Sequence, residues 1–137
     1  MTDEEQIREM QALWGQRDSE RDFDGWSQLY TEDGKYINPR GQEFVGRAAL
    51  KQNIADRYAS RPEGQRTVHV FGPPIVRVHG DVAESATDYV VLLRENNTTT
   101  PGATGRHYAR LVRRGSGWLF TEYRIINVPD DLPPAPR

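Results

Sequence analysis

The residues predict an α+β domain: three helices first, then consecutive antiparallel strands, with the helices gathered on one face of a curved sheet. Three observations predict this. Apolar residues recur every three or four positions as far as about Ser60 and alternate after Gly64. Gly and Pro signals, among them Pro73-Pro74, Pro101-Gly102 and Gly115-Ser116-Gly117, punctuate the strand half. The length of 137 residues suits one domain burying about two thirds of its unfolded surface in a single core.

Each element has its own signature. Thr2 with Glu5 matches a capping box, and Ile7, Met10, Leu13 and Trp14 follow at helical spacing, predicting a helix from about Asp3 to Asp18. Its other face carries Glu4, Glu5, Arg8, Glu9 and Gln16, a solvated stripe. A second short helix, capped by Asp22, takes in Phe23, Trp26, Leu29 and Tyr30 and is expected to end at Gly34. Lys35 to Asn38 reads as a short strand stopped by Pro39, and Arg40 to Glu43 as a loop. Ala49, Leu50, Ile54 and Tyr58 predict a third helix from Gly46 to about Ser60, terminated by Pro62 and Gly64.

The strand half opens with Arg66 to Phe71. Val68 and Val70 share one face, and Thr67, His69 and Phe71 share the other. Pro73-Pro74 marks a bend. Ile75, Val76 and Val78 lead through the turn His79-Gly80-Asp81 into a long strand from Val82 to Arg94. Asn96 to Thr104 is expected to be a polar hairpin loop at a pocket rim. In the next strand Arg106, Tyr108, Arg110 and Arg114 face one way, and His107, Ala109 and Leu111 face inward. A one-residue slip would exchange His107 for Arg106 and Tyr108. The last strand runs from Trp118 to Val128. Residues 1–128 then form the domain, and 129–137 a Pro-rich extended tail.

Composition narrows the function. Eighteen basic against twenty acidic side chains leave a charge of −2, which provides no field for nucleic acid or anionic lipid. The absence of cysteine excludes disulfides, thiolate metal sites and a cysteine nucleophile. The acidic start Met-Thr-Asp-Glu-Glu and the lack of a long apolar run lead us to expect a cytoplasmic protein without a leader or membrane span. His69, His79 and His107 lie on different elements with no metal-ligand spacing, so no metal is expected. No phosphate-cradling glycine loop or nucleophile elbow occurs, and no cofactor is expected. His69, beside Phe71, is either a satisfied core residue or a pocket base.

Four stretches resemble a known family. They are Asp18-Ser19-Glu20-Arg21-Asp22-Phe23-Asp24; Tyr30 to Tyr36 together with Phe44-Val45-Gly46-Arg47-Ala48-Ala49-Leu50; Arg66 to Gly72; and Gly117-Trp118-Leu119-Phe120. In this order they resemble the nuclear-transport-factor-2-like superfamily, in particular its SnoaL-like polyketide cyclase and scytalone dehydratase branch. The resemblance implies a cone: a curved, mostly antiparallel sheet wrapped around a pocket that three helices cover. It also implies a catalytic pair. Asp18, at the position of the dehydratase aspartate, would hold the imidazole of His69, which would act as general base. Read without the resemblance, Asp18 is a surface carboxylate at a helix exit.

Around that pair Tyr36 and Tyr58 are candidate pocket hydroxyls, Trp14 a pocket wall, and His107 an inward imidazole. Scytalone-type dehydratases carry a second histidine on the long strand, where this chain has Tyr89-Val90-Val91-Leu92-Leu93. Bile-acid-type dehydratases use an acid there, and Asp88 is the nearest candidate. The expectation is a cofactor-independent lyase, isomerase or cyclase acting on a small apolar, ring-containing, polyketide- or steroid-like ligand. The alternative is a non-catalytic binding or assembly module of the same fold, including a β-subunit-like partner of a ring-hydroxylating oxygenase. A homodimer or homotrimer is expected, using an outer face that bears Tyr108 and Trp118 among arginines.

Overall fold

The computed structural model describes residues 1–127 and 132–137. Helices α1 (Asp3–Ser19), α2 (Phe23–Ser27) and α3 (Arg47–Ala59) accompany strands β1 (Tyr30–Ile37), β2 (Glu43–Val45), β3 (Arg66–Phe71), β4 (Ile75–His79), β5 (Val82–Glu95), β6 (Thr98–Arg114) and β7 (Gly117–Ile126). This is the α+β architecture that the periodicities predict.

The capping box forms as expected: the Glu5 amide donates to the Thr2 hydroxyl, and the Thr2 amide to the Glu5 carboxylate. From there α1 buries Ile7, Gln11, Trp14, Gly15 and Asp18, one face at intervals of three and four. Gly15 is what lets that face settle on the sheet. A Cβ there would lie 2.7 Å from the Phe71 ring and 3.3 Å from the Cβ of His69.

The seven strands order as β2-β1-β7-β6-β5-β3, and β4 lies on the same edge of β5 as β3. β1 runs parallel to β7, and every other pair is antiparallel. β3 pairs with Tyr89 to Arg94 of β5 and β4 with Val82 to Ala86, so Pro73-Pro74 divides one sheet edge into two strands. Register shifts at Val90/Leu92 and at Arg110/Leu111 bend the sheet around the helices. Between helices and sheet lies an aromatic core in which Trp14, Trp26, Tyr30, Tyr36, Phe120 and Tyr123 are all essentially buried. The Trp14 and Tyr123 rings stack 4.5 Å apart, and the Trp14 indole N–H donates to the Tyr30 hydroxyl at 2.9 Å.

Several sequence expectations are corrected here. α2 stops at Ser27, because Tyr30 enters the sheet and pairs with Phe120, whose amide donates to the Leu29 carbonyl. The first strand is therefore Tyr30–Ile37 and contains Gly34. A Cβ on Gly34 would meet the Tyr30 Cβ at 2.7 Å and the Phe120 carbonyl at 3.2 Å, so the glycine serves close strand packing and not a helix stop. Part of the expected loop after Pro39 pairs with β1 as β2. The expected loop from Asn96 to Thr104 is a two-residue turn, Asn96-Asn97, with φ of 51° and 61°. β6 starts immediately after it, and Pro101 is tolerated beside the register shift.

Trp118 does not sit on an outer face. The irregularity opposite Arg110/Leu111 reverses the parity of β7, so that Trp118 and Phe120 before it and Tyr123 and Ile125 after it are all buried. The Trp118 indole donates to Asp3, Arg113 lies over its ring, and the same guanidinium pairs with Asp3, pinning the start of α1. On the outer face the Tyr108 hydroxyl and Arg106 both donate to the Pro133 carbonyl, so part of the C-terminal segment covers it. Val128 to Asp131, which include the expected end of the last strand and the first tail residues, lie outside the described residues. Among the described residues no helix is long and apolar enough to cross a membrane.

Candidate active site

A cavity of about 650 Å³ opens between α3 and the concave side of the sheet. Each wall follows from a periodicity. α3 presents Asn53 and Arg57, and the residues just past its end add Ser60 and Arg61, a polar stripe at intervals of about four beside the apolar stripe of Leu50, Ile54 and Tyr58. β3 presents Thr67 and His69, and β5 presents Tyr89, Val91 and Leu93, which pair directly with that face of β3. His107 from β6, Ile125 from β7 and Tyr36 from β1 complete the far side.

His69 lies in the cavity wall, edge-on to Trp14 and stacked with Phe71. Its Nδ1 is buried without a partner among the described residues, so Nε2 is the nitrogen left open. Burial pulls the imidazole below its ordinary pKa; Asp18 opposes that shift, and Arg57 and Arg61 reinforce it. At neutral pH the ring is uncharged, with a free lone pair.

His107 is more deeply buried, and burial depresses it well below the usual histidine range, with His69 adding to the effect. Gln11 donates its amide to the Tyr123 hydroxyl, and that hydroxyl meets His107 Nδ1 at 2.5 Å. With Gln11 already donating, the phenol hydrogen goes to Nδ1, and His107 carries its own proton on Nε2. Burial raises Tyr123 well above the usual phenol range, so the phenol keeps that hydrogen. Among the described residues His107 Nε2 has no partner.

Asp18 is fully buried at the C-terminal end of α1. Its Oδ2 accepts from Arg57 Nη2 at 2.9 Å, and its Oδ1 from the Tyr58 hydroxyl at 2.5 Å. That hydroxyl also lies 2.9 Å from the Thr67 hydroxyl. The network ties α1, α3 and β3 together. Among the described residues no hydrogen bond or ion pair joins Asp18 to His69; the carboxylate acts on the imidazole through space.

The remaining sequence candidates separate clearly. Tyr36 lines the cavity, and burial raises its phenol to about 12. Tyr58 is committed to Asp18 and Thr67. Trp14 stands behind the wall, packed against both His69 and His107. Asp88 is a correction: it points outward, with its side chain 67% exposed and paired with Arg106 at 2.7 Å, because Thr87 and Tyr89 take the inward face. His107 does face inward, as the alternation of its strand predicts. Sequence reasoning does not single out Asn53, Arg57, Arg61 or Tyr89. The four-residue spacing of the first three, along α3 and just past its end, is a readable signal, but a polar stripe reads equally well as a solvated face. Among the described residues no cluster of three or more His, Cys, Asp or Glu could hold a metal.

Known proteins share this fold. The family model for the SnoaL-like domain matches residues 1–124, nearly the whole chain. The protein belongs to the SnoaL-like domain family. No curated protein matches its sequence. Among solved structures, this SnoaL-like chain is similar to a nuclear-transport-factor-2-like protein with a cystatin-like fold from Novosphingobium aromaticivorans: 27% identity, 92% of this chain and 82% of that one covered, TM-score 0.81. It also resembles a single-residue variant of a Mycobacterium tuberculosis protein of unknown function, at 24% identity over 90% of this chain and 70% of that one, TM-score 0.80. A third neighbour, from Catenulispora acidiphila, was solved in complex with S-DNPA. It shares 18% identity over 88% of this chain and 90% of that one, TM-score 0.77. At these identities the last two likenesses speak to the fold.

Proposed function

We propose that this SnoaL-like domain is a cofactor-independent lyase, isomerase or cyclase that acts by general acid-base catalysis on a small ring-containing substrate of polyketide or steroid type. One observation carries the reading: an uncharged imidazole, His69, with an open nitrogen in a sheltered cavity of about 650 Å³. The structure of the Catenulispora acidiphila protein with a bound small molecule supports use of the cavity as a ligand site.

In the proposed reaction His69 Nε2 removes a proton from carbon next to a substrate carbonyl, and the electron pair moves onto the carbonyl oxygen. The Tyr36 hydroxyl, kept protonated by its raised pKa, donates to that developing oxyanion. The captured proton then returns to a different atom, completing isomerisation, or assists departure of a hydroxyl in an elimination. Asp18 is a positioning residue in this scheme. Its charge favours the imidazolium that forms on His69, and its bonds to Arg57 and Tyr58 fix the wall that carries the base.

Turnover of a panel of polyketide-like and steroid-like ketones by wild type and by His69→Ala tests the proposal. Loss of at least about a hundredfold in kcat/KM, within the usual worth of a general base, is expected. Equal rates in the two proteins remove the catalytic role. A non-catalytic binding module is the second reading, favoured by the lack of a direct Asp18–His69 bond. Ligand retained through purification with no turnover by wild type would establish it.

A further inference from the structure

The charges around the cavity are one-sided. Arg40, Arg57 and Arg61 line it, and among the described residues no aspartate or glutamate does. Asp18, behind the wall, neutralises Arg57. Arg61 has no such counterpart among the described residues. Among the described residues no carboxylate lies within 4.0 Å of it; its Nη1 donates to the Thr67 hydroxyl at 3.3 Å, and its guanidinium lies over the Tyr58 ring. On the same face of α3, Arg57 Nε and Asn53 Nδ2 are buried with no acceptor among the described residues. One side of the cavity thus gathers donors and positive charge, while Val91, Leu93 and Ile125 opposite are apolar.

Buried donors without acceptors are costly unless a ligand supplies them, and a guanidinium fits a planar oxyacid better than any neutral oxygen. We propose that the cavity takes a substrate bearing a carboxylate, held by Arg61 together with the free donors of Arg57 and Asn53, with its apolar ring against β5 and β7. This deepens the reading of the cavity as a substrate site and rests on it. The carboxylate anchors the molecule at the α3 side, leaving the ring carbons to face His69 across the hollow.

Titration calorimetry of the full chain with 2-naphthoate and with 2-naphthamide, nearly isosteric but uncharged, tests the assignment. Wild type is expected to bind the acid roughly ten- to a hundredfold more tightly than the amide, the range that charge-assisted bonds provide. Arg61→Gln is expected to abolish that preference while binding the amide as wild type does. His69→Ala is expected to keep it, so absence of His69-dependent turnover would refute the catalytic reading without touching this one. Equal affinity for acid and amide, no binding of the acid at millimolar concentration, or a preference that survives Arg61→Gln would each overturn the proposal.

Discussion

Asp18→Asn probes the joint on which the cavity wall depends. The substitution preserves shape and lets the amide oxygen go on accepting from Tyr58, but it leaves the Arg57 guanidinium without its counter-charge. Breaking a fully buried ion pair by removing one partner costs about 3–5 kcal/mol. Here the Arg57 side chain is 28% exposed and can be partly rehydrated, which lowers the figure to roughly 2–3 kcal/mol. A neutral residue in the last turn of α1 also relieves an unfavourable carboxylate at the negative end of the helix dipole, returning about 0.5 kcal/mol. The net loss is about 2 kcal/mol. With an unfolding entropy of about 2.1 cal/mol/K per residue, 137 residues give about 0.29 kcal/mol/K, so Tm should fall by about 7 °C. Calorimetry and urea unfolding would read this, together with the Asp18→Asn/Arg57→Gln double variant. The double should be less destabilised than the sum of the singles by at least about 1 kcal/mol. A Tm change under about 2 °C, or strict additivity, would refute the view that this pair holds α1 to α3.

Acid should destabilise the fold earlier than carboxylate titration alone would. Burial holds His69 and His107 below their ordinary value of 6.5, so the unfolded chain takes up protons first and stability falls as pH drops through that value. Each histidine can contribute a slope of about 1.4 kcal/mol per pH unit down to its folded pKa, and nothing above about pH 7. Urea midpoints that are flat between about pH 7 and pH 5.5 would contradict this. Tyr123→Phe orphans two buried groups, Gln11 Nε2 and His107 Nδ1, at about 1–3 kcal/mol each, and nitrogen NMR should show His107 losing its preference for the Nε2 proton; an unchanged tautomer rules out the hydrogen bond from the Tyr123 hydroxyl to His107 Nδ1. Gly105→Ala would place a Cβ 2.1 Å from the Ile126 carbonyl oxygen, backbone that cannot step aside, so a loss of about 1–3 kcal/mol is expected from the urea midpoint, and wild-type stability would show that β6 and β7 are less closely apposed.

Local patterns by themselves determined much of this protein. The Thr2/Glu5 box set the start of α1, alternation set which faces of β3 and β6 carry His69 and His107, and the Pro73-Pro74 break separated two strands. These features were legible because each depends on neighbours within a few residues. Elements whose partners are distant were not. β1 is a strand because Tyr30 pairs with Phe120, and Trp118 is buried because an irregularity between β6 and β7 reverses the parity of its strand. The site divides in the same way. His69 was visible as a residue type on a plausible face and Tyr36 through the family resemblance, whereas no spacing along the chain could assign the carboxylate of Asp18 to Arg57 and Tyr58 and not to His69. Nor could it say that the polar stripe of α3 faces a hollow and not water. Helix and strand periodicity fixes which side chains share a face; only the packing of one element on another decides what that face meets.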